Sequence, residues 1–316
     1  MVTNRTMFTV ISAVVLIFLF TSGGFCLSLK KNGPHPQPTP PKPIVIWHGM
    51  GDNCCNPLSV GYIKSYIEQQ LRGVYVLSLM IGKNIIEDTE NGYFMNVNHQ
   101  VEYVCRLLAS DDNLTQGYNA IGLSQGAQFL RAVAQRCPSP RMHNLISLGG
   151  QHQGVYGLPH CFYPPHKYCD YMRSLINIGA YWGWVQNELV QAEYWHDPMD
   201  EDKYKQNSVF IAEINNEIYQ NNTYKENLLK LDNFVLVKFE YDKMVEPHES
   251  SWFGFYTPGQ AVEITPLNQS KLYIEDRLGL QQLDQSGRLQ FLSVPGDHLQ
   301  FTIEWFKQAI LDKYLS

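Results

Sequence analysis

The chain has 316 residues, of which 44% are hydrophobic and 17% charged, and this apolar content excludes an intrinsically disordered protein. The formal net charge is −6 and no stripe of Lys and Arg residues is present, so a nucleic-acid-binding role is not expected. The length permits two domains, but α/β domains often reach this size as one unit.

The N-terminal segment has the composition of a secretory signal peptide. Residues 1–27 carry a single charge, at Arg5, and an apolar run over residues 7–20 is followed by small and polar residues. A membrane anchor is the alternative, but the run is shorter than the ~20 residues that span a bilayer. We therefore expect cleavage, a proline-rich leader over residues 28–43, and a mature protein that enters the secretory pathway without a membrane span.

The cysteine count fits an oxidising compartment. The chain contains seven cysteines, and removal of Cys26 with the signal peptide leaves an even number, which predicts a set of disulfides. No C-x-x-C pair is present in the sequence, so a zinc site is not favoured. Sequons at Asn113, Asn221 and Asn268 agree with the same route and are candidate glycosylation sites.

Short apolar runs alternate with segments of helical periodicity along the chain. The expected strands are residues 44–47, 74–79, 118–123, 145–148, 234–241 and 289–294. Helical spacing of apolar residues is found near residues 63–71, 97–108, 130–137 and 301–311. This alternation predicts an α/β protein with a mostly parallel central sheet of about six strands and helices on both faces.

The alternation is interrupted between about residues 150 and 232, a span too long for a simple loop between strands. Its many aromatic and polar residues predict a helical insertion that covers the active-site end of the sheet. Residues 44–316 would then form one domain that contains this insertion.

The pentapeptide Gly122-Leu123-Ser124-Gln125-Gly126 matches G-x-S-x-G, with a predicted strand before it and a predicted helix after it. In this context the motif predicts a nucleophile elbow, a tight turn that lifts a serine hydroxyl clear of the backbone between very small residues. The helix that follows directs its N terminus toward the developing oxyanion. The serine of this motif is therefore the candidate nucleophile.

A serine nucleophile needs a base, and on this type of sheet an acid and then a histidine follow later strands. His298 comes directly after the sixth predicted strand and is the candidate base. Two other histidines, His196 and His248, are flanked by acidic residues and are expected at the surface. The remaining histidines considered lie before the nucleophile or in or near the insertion: His48, His152, His160 and His166.

Asp242 follows the fifth predicted strand directly and is the candidate acid of the triad. Glu246 is a rival on the same loop. Glu240 is expected inside the strand, and Asp297 is expected to point away from the neighbouring base.

The oxyanion hole is expected to use two backbone N–H groups, one at Gln125 and one in the loop after the first strand. Met50 is the candidate for the second donor, because the glycines at 49 and 51 allow the backbone to approach closely.

Seven longer strings, between about residue 43 and the C terminus, are specific enough to indicate a family. They are WHGMGDNCCNP (47–57), GLSQG (122–126), RAVAQRCP (131–138), GGQHQG (149–154), QAEYWHD (191–197), WFGFY (252–256) and GDHLQ (296–300). These strings resemble the palmitoyl-protein thioesterases of the lysosomal type. The resemblance implies an α/β-hydrolase that removes long fatty acyl groups from cysteine thioesters.

The resemblance also implies which residues form the site. It implies Ser124, Asp242 and His298 as the triad, Met50 and Gln125 as oxyanion donors, and no cofactor or metal. The disulfide pairs it implies are Cys54–Cys55, Cys105–Cys137 and Cys161–Cys169. The sequence departs from the family pattern at Ala127, where a third glycine is usual, and in the aromatic, proline-bearing segment 162–168.

The expected substrates are S-acylated proteins or peptides and long-chain acyl thioesters, hydrolysed in the lysosome lumen. An apolar trench between the sheet edge near Ser124 and the insertion would hold the acyl chain, with Gln151 at its polar entry. The insertion's aromatic residues fit either this trench or a core of the insertion's own. The alternative enzyme is a secreted or lysosomal lipase or carboxylesterase acting on oxoesters. A non-catalytic lipid carrier is disfavoured because all three triad positions are filled.

Overall fold

The computed structural model describes residues 41–157, 171–172, 174–176 and 179–316. The predicted signal peptide, most of the predicted leader and the implied pair Cys161–Cys169 lie outside the described residues, and so do His160 and His166. The boundaries proposed for the signal peptide and leader therefore remain predictions.

A six-stranded sheet in the order β2-β1-β3-β4-β5-β8 forms the centre of the molecule, and every pair of neighbouring strands in it is parallel. This confirms the predicted fold class. The strands of the sheet are β1 (Ile44–Trp47), β2 (Val76–Ser78), β3 (Tyr118–Leu123), β4 (Met142–Leu148), β5 (Asn233–Phe239) and β8 (Leu289–Val294).

The bounds of β1, β3 and β8 agree with the prediction, whereas β4 begins earlier than predicted, at Met142. Because His143 and Asn144 are polar, the first residues of this strand do not appear as part of an apolar run in the sequence. Inside the sheet the Asn144 side chain donates to Asn119 Oδ1 at 2.9 Å, so its amide is satisfied without water.

Helices cover both faces of the sheet. Those outside the insertion are α1 (Val60–Gln70), α2 (Ile85–Phe94), α3 (Val97–Ala109), α4 (Gln125–Arg136), α10 (Lys271–Ile274), α11 (Leu280–Gln285) and α12 (Ile303–Phe306), which continues as a π-helix over Lys307–Leu315. Apolar residues of α3 and α4 pack on one face of the sheet, and those of α1 and the C-terminal helix pack on the other.

Helix α2 was not predicted, because its buried positions are occupied by Asp88 and Gly92 while Ile85 and Ile86 are exposed. A helix without an apolar stripe gives no periodic signal. Its start is fixed instead by Asn84, whose side chain accepts hydrogen bonds from the backbone N–H groups of two residues in the first turn.

The insertion between β4 and β5 is helical, as expected. Its described helices are α5 (Gly183–Glu188), α6 (Val190–Glu193), α7 (Glu201–Asn207), α8 (Ile211–Ile214) and α9 (Asn222–Leu228). Tyr204 and Phe210 are buried in the same apolar cluster as the sheet. These two aromatic residues therefore belong to the main core, whereas Trp195 also packs against a second apolar cluster of insertion residues, which includes Ile176 and Val185.

Two further strands, β6 (Phe255–Tyr256) and β7 (Ile264–Thr265), form an antiparallel pair after β5 that the sequence did not reveal. Across the described ranges, none of the helices is long and apolar enough to cross a membrane.

Candidate active site

The G-x-S-x-G motif forms a sharp turn between β3 and α4. Ser124 has φ 54° and ψ −123°, a backbone conformation that side chains with a Cβ rarely adopt. A Cβ at Gly122 would lie 2.2 Å from Ala127 Cα, and one at Gly126 would lie 2.4 Å from the His48 carbonyl oxygen. The turn therefore requires glycine on both sides of the serine.

Ser124, His298 and Asp242 lie in hydrogen-bonding sequence. Ser124 Oγ is 2.9 Å from His298 Nε2, and His298 Nδ1 is 2.7 Å from Asp242 Oδ2. The other carboxylate oxygen, Asp242 Oδ1, accepts from the backbone N–H groups of Met244 and Val245 at 2.8 and 2.9 Å. These bonds fix the carboxylate, and the carboxylate fixes the imidazole ring, which is the geometry that a nucleophile, base and orienting acid require.

Two of the three rival acids, Glu240 and Asp297, are engaged elsewhere. Glu240 lies in the turn just after β5 rather than within the strand, and it pairs with Lys238 at 3.2 Å. Asp297 Oδ1 accepts from the backbone N–H groups of Lys243 and His298, so this carboxylate contacts the main chain beside the base and not its ring.

The described rival histidines also have other partners. His152 is fully buried and faces Ser147 Oγ at 2.7 Å, and burial, together with the charge of Arg131, holds its pKa well below the ordinary value. His248 is partly exposed and pairs with its neighbour Glu249.

The expectation that His196 lies at the surface is wrong. The ring is 4% exposed and is stacked between Tyr204 and Phe255, with centroid distances of 3.7 and 4.0 Å. The acidic residue Glu201 does contact its Nε2, at 2.7 Å, but from within the insertion rather than across solvent. The acidic residues that flank His196 in the sequence therefore did not indicate that its side chain is exposed.

The backbone predicted to form the oxyanion hole lies next to the nucleophile. A Cβ at Gly49 would be 3.1 Å from Ser124 Cβ, which shows how closely the loop after β1 approaches the elbow. Gln125 is the first residue of α4, and its side chain donates to Gly92 O at 3.0 Å and accepts from Tyr194 O–H at 3.2 Å. These contacts hold the end of the helix, and the donor roles of Met50 and Gln125 remain predictions.

A buried ion pair, missed by sequence reasoning, supports the same loop. His48 Nδ1 is 2.9 Å from Gly49 O and its Nε2 is 3.1 Å from Asp88 Oδ1, so both ring nitrogens face acceptors. Asp88 also accepts from the backbone N–H groups of Cys54 and Ile81 at 2.8 and 2.6 Å. A single aspartate in a polar helix carries no sequence signal for this role.

Each residue of this pair favours the charged form of the other. Burial lowers the pKa of His48, but the hydrogen bond and negative charge of Asp88 outweigh burial and raise it above its ordinary value. Burial likewise acts to raise the pKa of Asp88, and the hydrogen bond and charge of His48 hold it below the usual range.

Two disulfides lie among the described residues. Cys54–Cys55 follows the loop after β1, and Cys105–Cys137 joins α3 to the end of α4. The second bond ties α3 to the end of α4, the helix that follows the nucleophile, on the same face of the sheet.

A cavity opens beside Ser124 between the end of the sheet and the insertion. Gln151, expected at a polar entry, lies deeper than that, with Nε2 donating to Ser124 Oγ at 3.0 Å. The apolar residues around the cavity are Met50, Val155, Ile176, Trp195 and Met244. This cavity lies at the position predicted for an acyl trench, and its role in holding an acyl chain remains a prediction.

The fold and the site together define a serine hydrolase of the α/β-hydrolase class. A family model described as palmitoyl protein thioesterase matches residues 43–298. The chain belongs to the palmitoyl protein thioesterase family.

Individual relatives agree with this assignment. The chain is 54% identical over 272 residues to palmitoyl-protein thioesterase 1 of Caenorhabditis elegans, covering 86% of this chain and 91% of that protein. It is 38% identical to palmitoyl-protein thioesterase 3 of Dictyostelium discoideum, covering 83% of this chain and 87% of the relative. It is 29% identical to the human lysosomal thioesterase PPT2, covering 81% of each chain.

Proposed function

We propose that this protein hydrolyses thioesters of long-chain fatty acids and removes palmitate-like groups from cysteine residues of lipid-modified proteins. The observation that carries the proposal is the sequence of contacts from Ser124 through His298 to Asp242, at 2.9 and 2.7 Å, beside a mainly apolar cavity. Membership of the thioesterase family favours a thioester substrate over an oxoester.

In the acylation step, His298 Nε2 takes the hydroxyl proton of Ser124 as Oγ attacks the thioester carbonyl. The backbone N–H groups of Met50 and Gln125 stabilise the oxyanion of the tetrahedral intermediate. The carbon–sulfur bond then breaks, the cysteine sulfur leaves with the proton from His298, and the acyl group remains on Ser124. Asp242 keeps the ring oriented and stabilises its positive charge.

In the deacylation step, water attacks the ester carbonyl of the acyl-enzyme while His298 takes its proton. The proton then passes to Ser124 Oγ, and the fatty acid is released. Because a thiol has a pKa of ~8.5, a thiolate leaves more readily than an alkoxide, so less acid assistance is needed during acylation.

The lumen of the lysosome, reached through the secretory pathway, is the proposed location. Relatives named lysosomal thioesterases support it. The three sequon asparagines, Asn113, Asn221 and Asn268, are exposed, which agrees with glycosylation on that route.

Hydrolysis of palmitoyl-CoA beside a glyceride of equal chain length tests the proposal. We expect the thioester to react with the higher kcat/KM, and the Ser124→Ala variant to hydrolyse neither substrate. A higher kcat/KM for the glyceride would instead identify an esterase.

A further inference from the structure

Gln151 contacts the nucleophile directly. It follows Gly149 and Gly150 at the end of β4 and is 5% exposed. Its Nε2 donates to Ser124 Oγ at 3.0 Å. The amide orientation follows from the triad, because the hydroxyl hydrogen of Ser124 is directed to His298 Nε2 and Oγ is left as an acceptor.

The other end of this amide is unused. Gln151 Oε1 is buried and has no hydrogen-bond partner among the described residues. Leaving a buried carbonyl oxygen unpaired is costly, so such an atom at a reaction centre calls for an explanation. Gln151 lines the cavity beside Ser124, and a small movement of its side chain would bring this oxygen to a donor that enters the cavity.

The deacylation step supplies such a donor. A water molecule that attacks with an oxygen lone pair has two O–H groups, and one is directed to His298 Nε2 as the general base. The second O–H needs another acceptor in a site from which other water is excluded.

We propose that Gln151 is a catalytic residue of deacylation, in which its Oε1 accepts from the hydrolytic water while its Nε2 hydrogen-bonds to Ser124 Oγ. This inference rests on the proposed acyl-enzyme mechanism. Water oxygen bonds to the acyl carbon, its proton passes to His298, and the bond between the acyl carbon and Ser124 Oγ breaks. Oγ takes the proton from His298, and Gln151 Nε2–H stabilises the negative charge that develops on Oγ as it leaves.

The test separates the two steps of the reaction in Gln151→Met, which keeps similar volume but lacks both polar groups. Acylation is followed by the release of thiol in a single turnover, and deacylation by the decay of the acyl-enzyme in intact-mass spectra. We expect deacylation to slow about a hundredfold, as for a misplaced reactant, and acylation to slow only about tenfold, as for one lost hydrogen bond. The acyl-enzyme should therefore accumulate.

A second readout uses hydroxylamine, a nucleophile strong enough to attack without a positioned base. Hydroxylamine should raise the turnover of Gln151→Met by a larger factor than that of the wild type. Gln153→Met is the matched control, because Gln153 is 6% exposed, lies two residues further on and does not line the cavity. The acylation and deacylation rates of Gln153→Met should both stay within about twofold of the wild-type rates.

Gln151→Asn provides a second variant that keeps a polar amide in case the methionine variant fails to fold. Its shorter side chain should also slow deacylation more than acylation. Equal slowing of the two steps, or no accumulation of acyl-enzyme in either variant, would overturn the role of Gln151. Absence of any acyl-enzyme on Ser124 in the wild type, even after rapid quenching, would instead contradict the proposed function itself.

Discussion

Ser124 and Ser147 both lie within hydrogen-bonding distance of a histidine, but only one of them faces the cavity. Ser124 Oγ contacts His298 beside the cavity, whereas Ser147 Oγ contacts the fully buried His152 inside the sheet layer. The two serines therefore form a natural pair for a test of the nucleophile.

The Ser124→Ala variant is expected to lose labelling by a fluorophosphonate probe and to lose a factor of about 10⁶ in kcat, as in a comparable triad. Ser147→Ala is the control. The probe should still label Ser124 in this variant, because the Ser147 hydroxyl that is removed does not reach the cavity. Equal thermal unfolding temperatures would show that Ser124→Ala is folded. Retention of a tenth of the wild-type activity in that variant would rule out Ser124 as the nucleophile.

At this scale the sequence predicts residues whose chemistry depends on a local motif. The turn around Ser124 predicts a nucleophile, and the positions of His298 and Asp242 after strands predict its base and acid. The contact of Gln151 with Ser124 and the pairing of Asp88 with His48 depend on how distant loops pack, which no local pattern encodes.

At the scale of elements, the His48–Asp88 pair connects β1, the loop after it and α2. The raised pKa of His48 means that its contribution to stability is complete below about 6.5 and is lost as pH rises through the folded-state value. The lowered pKa of Asp88 means that its contribution is present above about 3.9 and is lost as pH falls through its folded-state value. The pair therefore stabilises the fold most in the mildly acidic range between these limits.

Asp88→Asn should lower the free energy of unfolding by about 3–5 kcal/mol near pH 5, since it leaves a buried imidazolium unpaired. The difference from wild type should shrink as pH rises and His48 loses its proton. Thermal or denaturant unfolding at several pH values measures this difference. Glu102→Gln removes an exposed ion pair with Arg106 and serves as the control, with an expected effect below about 1 kcal/mol. A difference that stays constant from pH 5 to pH 8 would contradict the assignment.

Helices α3 and α6 are joined through Glu193, whose two carboxylate oxygens lie 2.9 and 3.1 Å from the Val97 backbone N–H. Burial raises the pKa of this carboxyl well above its usual range, more than the hydrogen bond from Val97 lowers it. The unfolded chain therefore releases this proton at a lower pH than the folded protein does, which destabilises the fold as pH rises.

Glu193→Gln resembles the protonated side chain and should be more stable than wild type at neutral pH. The advantage should grow by up to about 1.4 kcal/mol per pH unit above the unfolded-state pKa of ~4.3, until the folded-state carboxyl ionises, and should vanish near pH 4. Unfolding curves of both proteins from pH 4 to pH 7.5 give the comparison. A stability advantage with the same size at every pH would show that Glu193 does not titrate differently on folding.

Most elements of the sheet could be predicted, because strands buried on both faces are continuous apolar runs. Helix α2 and the β6–β7 pair could not. The buried positions of α2 are polar or glycine, and each strand of the pair has only two residues. In both cases the element depends on contacts with neighbouring elements, and its own sequence shows no periodic apolar pattern.

At the scale of the whole molecule, the cavity beside Ser124 predicts a dependence on acyl-chain length. Each methylene buried should contribute ~0.8 kcal/mol, and ~1.4 kcal/mol corresponds to a factor of ten in rate. Even partial burial of the additional chain should make kcat/KM for a sixteen-carbon thioester orders of magnitude higher than for an eight-carbon one.

Monomeric dispersions of both thioesters are needed, because micelles would mask the difference. Ile176→Trp, which fills part of the apolar cavity lining, should weaken the preference for the longer chain while leaving the eight-carbon substrate less affected. Equal reactivity of the two chain lengths with the wild type would mean that no long-chain site exists. The alternative of an esterase that acts on oxoesters would then be favoured.

The way the insertion is fastened to the nucleophile helix has a consequence for how the enzyme meets lipid. Arg131 and Gln135 of α4 donate to Ile214 O at 3.1 and 2.7 Å, and Asn227 donates back to Gln135 O at 2.7 Å. These bonds are buried, so swinging α8 and α9 away from the sheet would leave several polar groups unpaired. This part of the insertion therefore behaves as a fixed wall rather than a hinged flap. We therefore expect that any change in activity when substrate passes its critical micelle concentration does not come from an opening of α8 and α9, in contrast to enzymes whose flap an oil–water interface must open.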